Sequence, residues 1–100
     1  MPLKTIDPQK VEDLLKEGSG LNIIDVREDD EVAQGMISGA KHIPLGEVPN
    51  RLHELDQSKE YIMVCRSGKR SEKACGILSE NNFKVTNMTG GMLNWKGQTK

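Results

Sequence analysis

Two short apolar runs constrain the fold of this chain most strongly. Residues 21–26 and residues 61–64 are rich in large apolar side chains, and each run predicts a strand buried within a sheet. Residues 40–44 and residues 83–86 are further strand candidates. Strands that alternate with helical segments indicate an α/β fold with a mainly parallel sheet.

The helix signals lie between these runs. Asp7 and Pro8 form a strong helix start, because Asp is a preferred N-cap and Pro fits the first helical position. A second long helix is predicted from about residue 71 to residue 81, with one apolar face. Weaker signals predict short helices at residues 27–34, at residues 50–55 with Asn50 as the cap, and at residues 92–96.

The composition narrows the function classes. A length of 100 residues predicts one domain, residues 1–100. The chain has 14 Lys and Arg against 15 Asp and Glu, so no basic excess favours nucleic-acid binding. The sequence has neither a bilayer-length apolar run nor a secretory signal, which predicts a cytoplasmic protein that does not bind membranes. Two cysteines and two histidines show no disulfide framework and no zinc-ligand spacing, so no metal is expected.

The chemistry is predicted where the second apolar run ends. Cys65 follows that strand, and in parallel α/β sheets ligands bind beyond the carboxyl ends of the strands. The next helix would direct free amide groups and the positive end of its dipole toward the cysteine. A thiolate, the nucleophilic form of cysteine, is stabilised in such a place.

The helix terminus alone is too weak to generate that thiolate. Lowering a thiol pKa by about two units requires about 2.7 kcal/mol, whereas an exposed helix terminus supplies about 0.3–1 kcal/mol. The remainder is expected from loop amides, which Gly68 would allow to converge on the sulfur, and from nearby cations. The three cations of this segment are Arg66, Lys69 and Arg70.

Three segments resemble the motifs of the rhodanese family of sulfurtransferases. They are the cysteine loop at residues 65–71, the paired segments 25–28 and 39–45, and the glycine-containing segment 90–95. The motifs occur in the order found in that family and extend over essentially the whole chain. The resemblance implies a single rhodanese domain without a cofactor, a three-layer fold whose central, mainly parallel five-stranded sheet is flanked by helices.

The resemblance also implies a reaction. Cys65 would be the catalytic nucleophile, taking a sulfane sulfur from a thiosulfate-like or persulfide donor and passing it to cyanide or a thiol, with ping-pong kinetics. A sulfur-carrier protein is among the candidate partners. The rest of the loop is expected to bind the donor and the outer sulfur: Arg66, Ser67, Gly68, Lys69, Arg70 and Ser71.

Other residues are expected to support the loop or to pack. Asp25 and Arg27 end a strand on the same side of the sheet, where bracing by hydrogen bonds is favoured over direct chemistry. Cys75 lies on the apolar face of the predicted helix, which favours buried packing over a redox role.

Two other functions are compatible with parts of the pattern. Cysteine phosphatases and arsenate reductases also combine a cysteine, an amide cradle and an arginine, but in those families five residues separate Cys from Arg. Here four residues separate Cys65 from Arg70, which disfavours a site for a tetrahedral oxyanion. A persulfide-sensing or protein-interaction module without significant turnover is the second alternative.

Overall fold

A computed structural model describes residues 3–100 of the chain. The first two residues of the predicted domain therefore lie outside the described part. The described residues form five strands and three α-helices: β1 Thr5–Ile6, α1 Pro8–Lys16, β2 Asn22–Asp25, α2 Asp29–Val32, β3 Lys41–His42, β4 Glu60–Val64, α3 Lys69–Glu80 and β5 Lys84–Met88. Short 3-10 helices cover Leu45–Asn50, Leu52–Glu54 and Gly91–Asn94.

The sheet is five-stranded, with the order β1-β5-β4-β2-β3, and every neighbouring pair is parallel. This arrangement confirms the predicted fold class. The four strands expected from the sequence are present, whereas β1 was not predicted. Strand β1 has only two residues, pairs with β5 at the sheet edge, and carries no apolar run that would announce it.

The central strands are buried on both faces, which produces three layers. Ile24 and Met63 belong to a core cluster that includes the apolar side of α3, whereas Ile23 and Ile62 belong to a second cluster that includes Val11 of α1. Successive side chains of a strand point to opposite faces, so each central strand supplies both cores. Their carboxyl ends are thereby fixed between two packed helical layers.

The predicted start of α1 is confirmed, because the Asp7 side chain accepts a hydrogen bond from the amide of Lys10 at 2.8 Å. Helix α3 begins at Lys69, two residues earlier than predicted, because Gly68 serves as its N-cap. The expectation that Asn50 caps a helix is wrong, since Asn50 ends the first 3-10 helix and Arg51 precedes the next one. No helix within residues 3–100 is long and apolar enough to cross a membrane.

Candidate active site

Cys65 lies directly after β4, at the carboxyl edge of the sheet. Its side chain is fully buried, and its sulfur faces the loop that connects β4 to α3. The amide of Gly68 donates a hydrogen bond to Cys65 Sγ at 3.0 Å, and the Ser71 hydroxyl lies 3.3 Å from the same atom. The loop thus closes around the sulfur with hydrogen-bond donors directed inward.

These donors determine the ionisation of the thiol. Burial is the largest single influence and favours the neutral thiol, but the Ser71 hydroxyl and the amides of Ser71, Gly68 and Ser67 together outweigh it. The net result is a pKa of Cys65 below its ordinary value. A larger fraction of Cys65 is therefore present as the thiolate at neutral pH than in an ordinary cysteine.

Gly68 shapes this cradle through its backbone. Its φ angle of 102° lies in the left-handed region. This conformation directs its amide toward the sulfur and allows α3 to begin at the next residue. A Cβ at this position would also come within 3.2 Å of the Gly90 amide nitrogen. The choice of glycine here follows from both constraints.

Asn87 is a buried polar residue of β5 that sequence reasoning missed. Its side-chain amide donates to the Gly68 carbonyl at 3.0 Å, and its side-chain oxygen accepts a short hydrogen bond from the Ser71 hydroxyl. Asn87 therefore holds both the loop backbone and the hydroxyl that faces the sulfur. The available signal was an amide side chain directly after the strand predicted at residues 83–86, where burial would require hydrogen-bond partners.

The glycine-containing segment after β5 clamps the loop from the other side. The amide of Met92 donates to the Cys65 carbonyl at 2.8 Å, and the amide of Leu93 donates to the Arg66 carbonyl at 3.0 Å. Gly91 has a φ of 57°, and a Cβ there would collide with the Arg66 carbonyl. The segment 90–95 can approach the cysteine loop this closely only because it carries glycine.

The predicted cations of the loop differ in environment. Arg66 and Lys69 are exposed, as is Ser67, so both charges are open to solvent beside the loop. Arg70 is partly buried and pairs with Glu31 of α2, with Nη1 to Oε1 at 2.6 Å and Nη2 to Oε2 at 2.7 Å. Arg70 is therefore already occupied by a carboxylate.

Residues 7–98 match the family model of the rhodanese-like domain. The chain belongs to the rhodanese family. The Bacillus subtilis protein YtwF, which bears a sulfurtransferase name, is 45% identical over 100 residues, covering 100% of this chain and 97% of that protein. YrkF of Bacillus subtilis, named as a sulfur carrier protein, is 46% identical over 81 residues, or 80% of this chain and 44% of that protein.

A solved structure extends this likeness to three dimensions. The crystal structure of a rhodanese-like domain protein from Staphylococcus aureus has a TM-score of 0.93 and 33% identity, covering 98% of this chain and 97% of that one. Family membership and relatives named as sulfurtransferases support sulfur transfer as the general activity of this rhodanese domain.

Asp25 and Arg27 lie next to the site without touching the sulfur. Both are buried, and the Arg27 guanidinium donates to the Asp25 carboxylate, with Nη2 to Oδ2 at 2.8 Å. Arg27 Nη2 also donates to the Gly35 carbonyl at 2.8 Å. The pair therefore fixes the chain around α2, the segment that carries Glu31, rather than the cysteine loop itself.

Cys75 has the opposite character from Cys65. It is fully buried on the inner face of α3. Burial, followed by the nearby charges of Glu72 and Cys65, raises the pKa of Cys75 to about 12. Within residues 3–100, no three His, Cys, Asp or Glu side chains are grouped so that they could hold a metal ion.

Proposed function

We propose that this rhodanese domain accepts a sulfane sulfur on Cys65 as a persulfide and passes it to a thiophilic acceptor. With thiosulfate, the Cys65 thiolate attacks the outer sulfur, the S–S bond of the donor breaks, and sulfite leaves with the bonding electron pair. The acceptor, cyanide or a thiolate, then attacks the outer sulfur of the persulfide, and Cys65 leaves as the thiolate. The two steps balance without an external oxidant or reductant.

The observation that carries this proposal is the set of donors around Cys65 Sγ. The Gly68 amide at 3.0 Å and the Ser71 hydroxyl at 3.3 Å stabilise an anionic sulfur at Cys65 Sγ. The exposed cations Arg66 and Lys69 stand at the outer side of the loop, where they would attract an anionic donor. The sulfur itself is covered, so we expect the side chains above it to move aside when the donor enters.

The acceptor and the compartment follow from the thiol chemistry. A thiol on a sulfur-carrier protein is a suitable acceptor, in line with the relative that is named as a sulfur carrier. We further propose a reducing compartment such as the cytoplasm, because both cysteines are free thiols and the reaction requires Cys65 to remain so.

A turnover assay tests the proposal. Thiocyanate formation from thiosulfate and cyanide is measured for the wild type, Cys65→Ser and Cys75→Ser. Loss of turnover in Cys65→Ser alone, with parallel double-reciprocal lines for the wild type, supports sulfur transfer through Cys65. Equal loss in both variants would contradict it. Sulfur loading without turnover would favour the persulfide-sensing alternative, and hydrolysis of an aryl phosphate that depends on Cys65 would favour a phosphatase.

A further inference from the structure

The ion pair between Glu31 and Arg70 joins two elements that lie far apart in the sequence. Glu31 belongs to α2, Arg70 belongs to the first turn of α3, and both guanidinium Nη atoms donate to the two carboxylate oxygens. Only 33% of the Arg70 side chain and 24% of the Glu31 side chain are exposed. Partly buried, two-point pairs of this kind are strong and directional.

Glu31 is held in place by its own helix as well as by Arg70. The amide of Glu28 donates to Glu31 Oε1 at 3.0 Å, and the amide of Glu31 in turn donates to the Glu28 backbone carbonyl at 3.0 Å. The carboxylate is thus oriented before Arg70 binds it. The pair is a fixed part of the site rather than a chance contact between two mobile surface side chains.

The pair stays ionised at neutral pH. The hydrogen bond from Arg70 is the main reason that the pKa of Glu31 falls to about 2, against an opposing effect of burial. The pKa of Arg70 is raised, first by its hydrogen bond to Glu31 and further by the charges of Glu31, Cys65 and Glu28. Arg70 therefore lies within electrostatic range of the reacting sulfur while its charge is compensated by Glu31.

The charge balance at the sulfur follows from these contacts. The charges of Arg70 and Glu31 cancel, so this pair adds no net positive charge beside the Cys65 thiolate, and Arg66 and Lys69 supply the remaining positive charge of the loop. The Glu31 carboxylate repels each negative charge of a donor, so its effect on a dianion is about twice its effect on a monoanion. Arg70 is not free to act as a further counter-ion for a dianion, because Glu31 occupies its guanidinium.

Resting on the proposed function, we propose that Glu31 determines donor specificity by neutralising Arg70. It disfavours dianionic donors such as thiosulfate relative to sulfane donors that carry at most one negative charge, such as thiosulfonates and organic persulfides. Glu31 acts through Arg70 and does not touch the reacting atoms, so it is a positioning residue.

Two donors that differ by one charge test this inference. Thiosulfate is a dianion, and methanethiosulfonate is a monoanion with the same reacting bond: the Cys65 thiolate attacks its outer sulfur and methanesulfinate leaves. With cyanide as the common acceptor, kcat/KM for each donor reports only the first half-reaction of a ping-pong enzyme. The measured quantity is the ratio of kcat/KM for thiosulfate to kcat/KM for methanethiosulfonate.

We expect Glu31→Gln to raise this ratio by about twofold to fivefold, the scale of one partly exposed charge interaction, and the effect to shrink as salt screens the charges. Arg70→Gln, which leaves Glu31 uncompensated, should move the ratio in the opposite direction. Asp30→Asn is the matched control, because it removes the same charge from an exposed position of the same helix. Its ratio should equal that of the wild type.

The outcomes separate this inference from the proposed function. If Cys65 is loaded with sulfur but Glu31→Gln leaves the ratio unchanged, or changes it no more than Asp30→Asn does, the role of Glu31 is wrong and the sulfurtransferase proposal stands. If neither donor loads Cys65 of the wild type, both proposals fail. A salt-independent change in the ratio would also overturn the inference, because it would indicate a geometric effect.

Discussion

Replacing Ser71 by alanine removes one of the hydrogen-bond donors that face the Cys65 sulfur. The hydroxyl lies 3.3 Å from Cys65 Sγ, and it is the strongest of the influences that lower the pKa of this thiol. The amide of Ser71 remains in the variant, as do the amides of Gly68 and Ser67. The substitution therefore tests the contribution of one hydroxyl, which also contacts Asn87 and the Gly68 carbonyl, while the amide donors to the sulfur are kept.

The size of the effect follows from the geometry. A hydrogen bond to a charged group contributes about 1.5–3 kcal/mol, which corresponds to about one to two pKa units. The Ser71 hydroxyl has a single proton, which the side-chain oxygen of Asn87 and the Gly68 carbonyl also accept. Because the three acceptors compete for that proton, we expect the lower end of the range, a rise of about one unit in the pKa of Cys65.

The rate of alkylation by iodoacetamide as a function of pH measures this pKa. The thiolate is the reacting form, so a higher pKa moves the midpoint of the rate profile to higher pH. A Cys75→Ser background leaves one thiol, and Ser67→Ala is the control, because only the amide of Ser67 contributes to the thiol pKa. An unchanged midpoint in Ser71→Ala, or an equal rise in Ser67→Ala, would refute the reasoning.

Two further predictions follow from the same contacts. Cys75 should remain unmodified while Cys65 is alkylated at mildly alkaline pH, because the pKa of Cys75 is about 12. Peptide mass mapping that finds both thiols labelled at equal rates would contradict this. Gly91→Ala should lower the free energy of unfolding by at least about 2 kcal/mol, because of its positive φ and the collision with the Arg66 carbonyl. Gly76 lies within α3, and a Cβ there would meet no atom within 4 Å, so Gly76→Ala should instead raise the free energy of unfolding by about 0.5–1 kcal/mol. Urea denaturation compares the two variants, and similar destabilisation in both would disprove the clamp.

Local signals carried most of the fold prediction. The Asp7 cap, the apolar strands and the polar segment after Val64 are short-range patterns, and each corresponds to an element of the structure. Strand β1 was not predicted because its two residues acquire their conformation by pairing with β5. Next to this pairing, the backbone amide of Asn87 donates to the Lys4 carbonyl at 2.9 Å. A short edge strand that depends on pairing with its neighbour has no clear pattern in its own sequence.

The site could be predicted only as far as it is local. The loop from Cys65 to Ser71 is continuous in sequence, and its glycine and cations indicated an anionic sulfur. The pair of Glu31 with Arg70 spans 39 positions, and the bond of Asn87 to Gly68 spans 19. Both depend on how the sheet brings distant elements together, so the sequence suggested a free Arg70 where the structure has a compensated one.

Mass spectrometry of the intact protein after treatment with thiosulfate tests the central claim most directly. Our account predicts a mass increase of one sulfur atom, located on the peptide that contains Cys65 and removed by cyanide. Two results would contradict the claim that the hydrogen-bond donors around Cys65 make it the sulfur-accepting nucleophile. One is a mass increase located on Cys75, and the other is no increase in folded protein whose Cys65 is reduced.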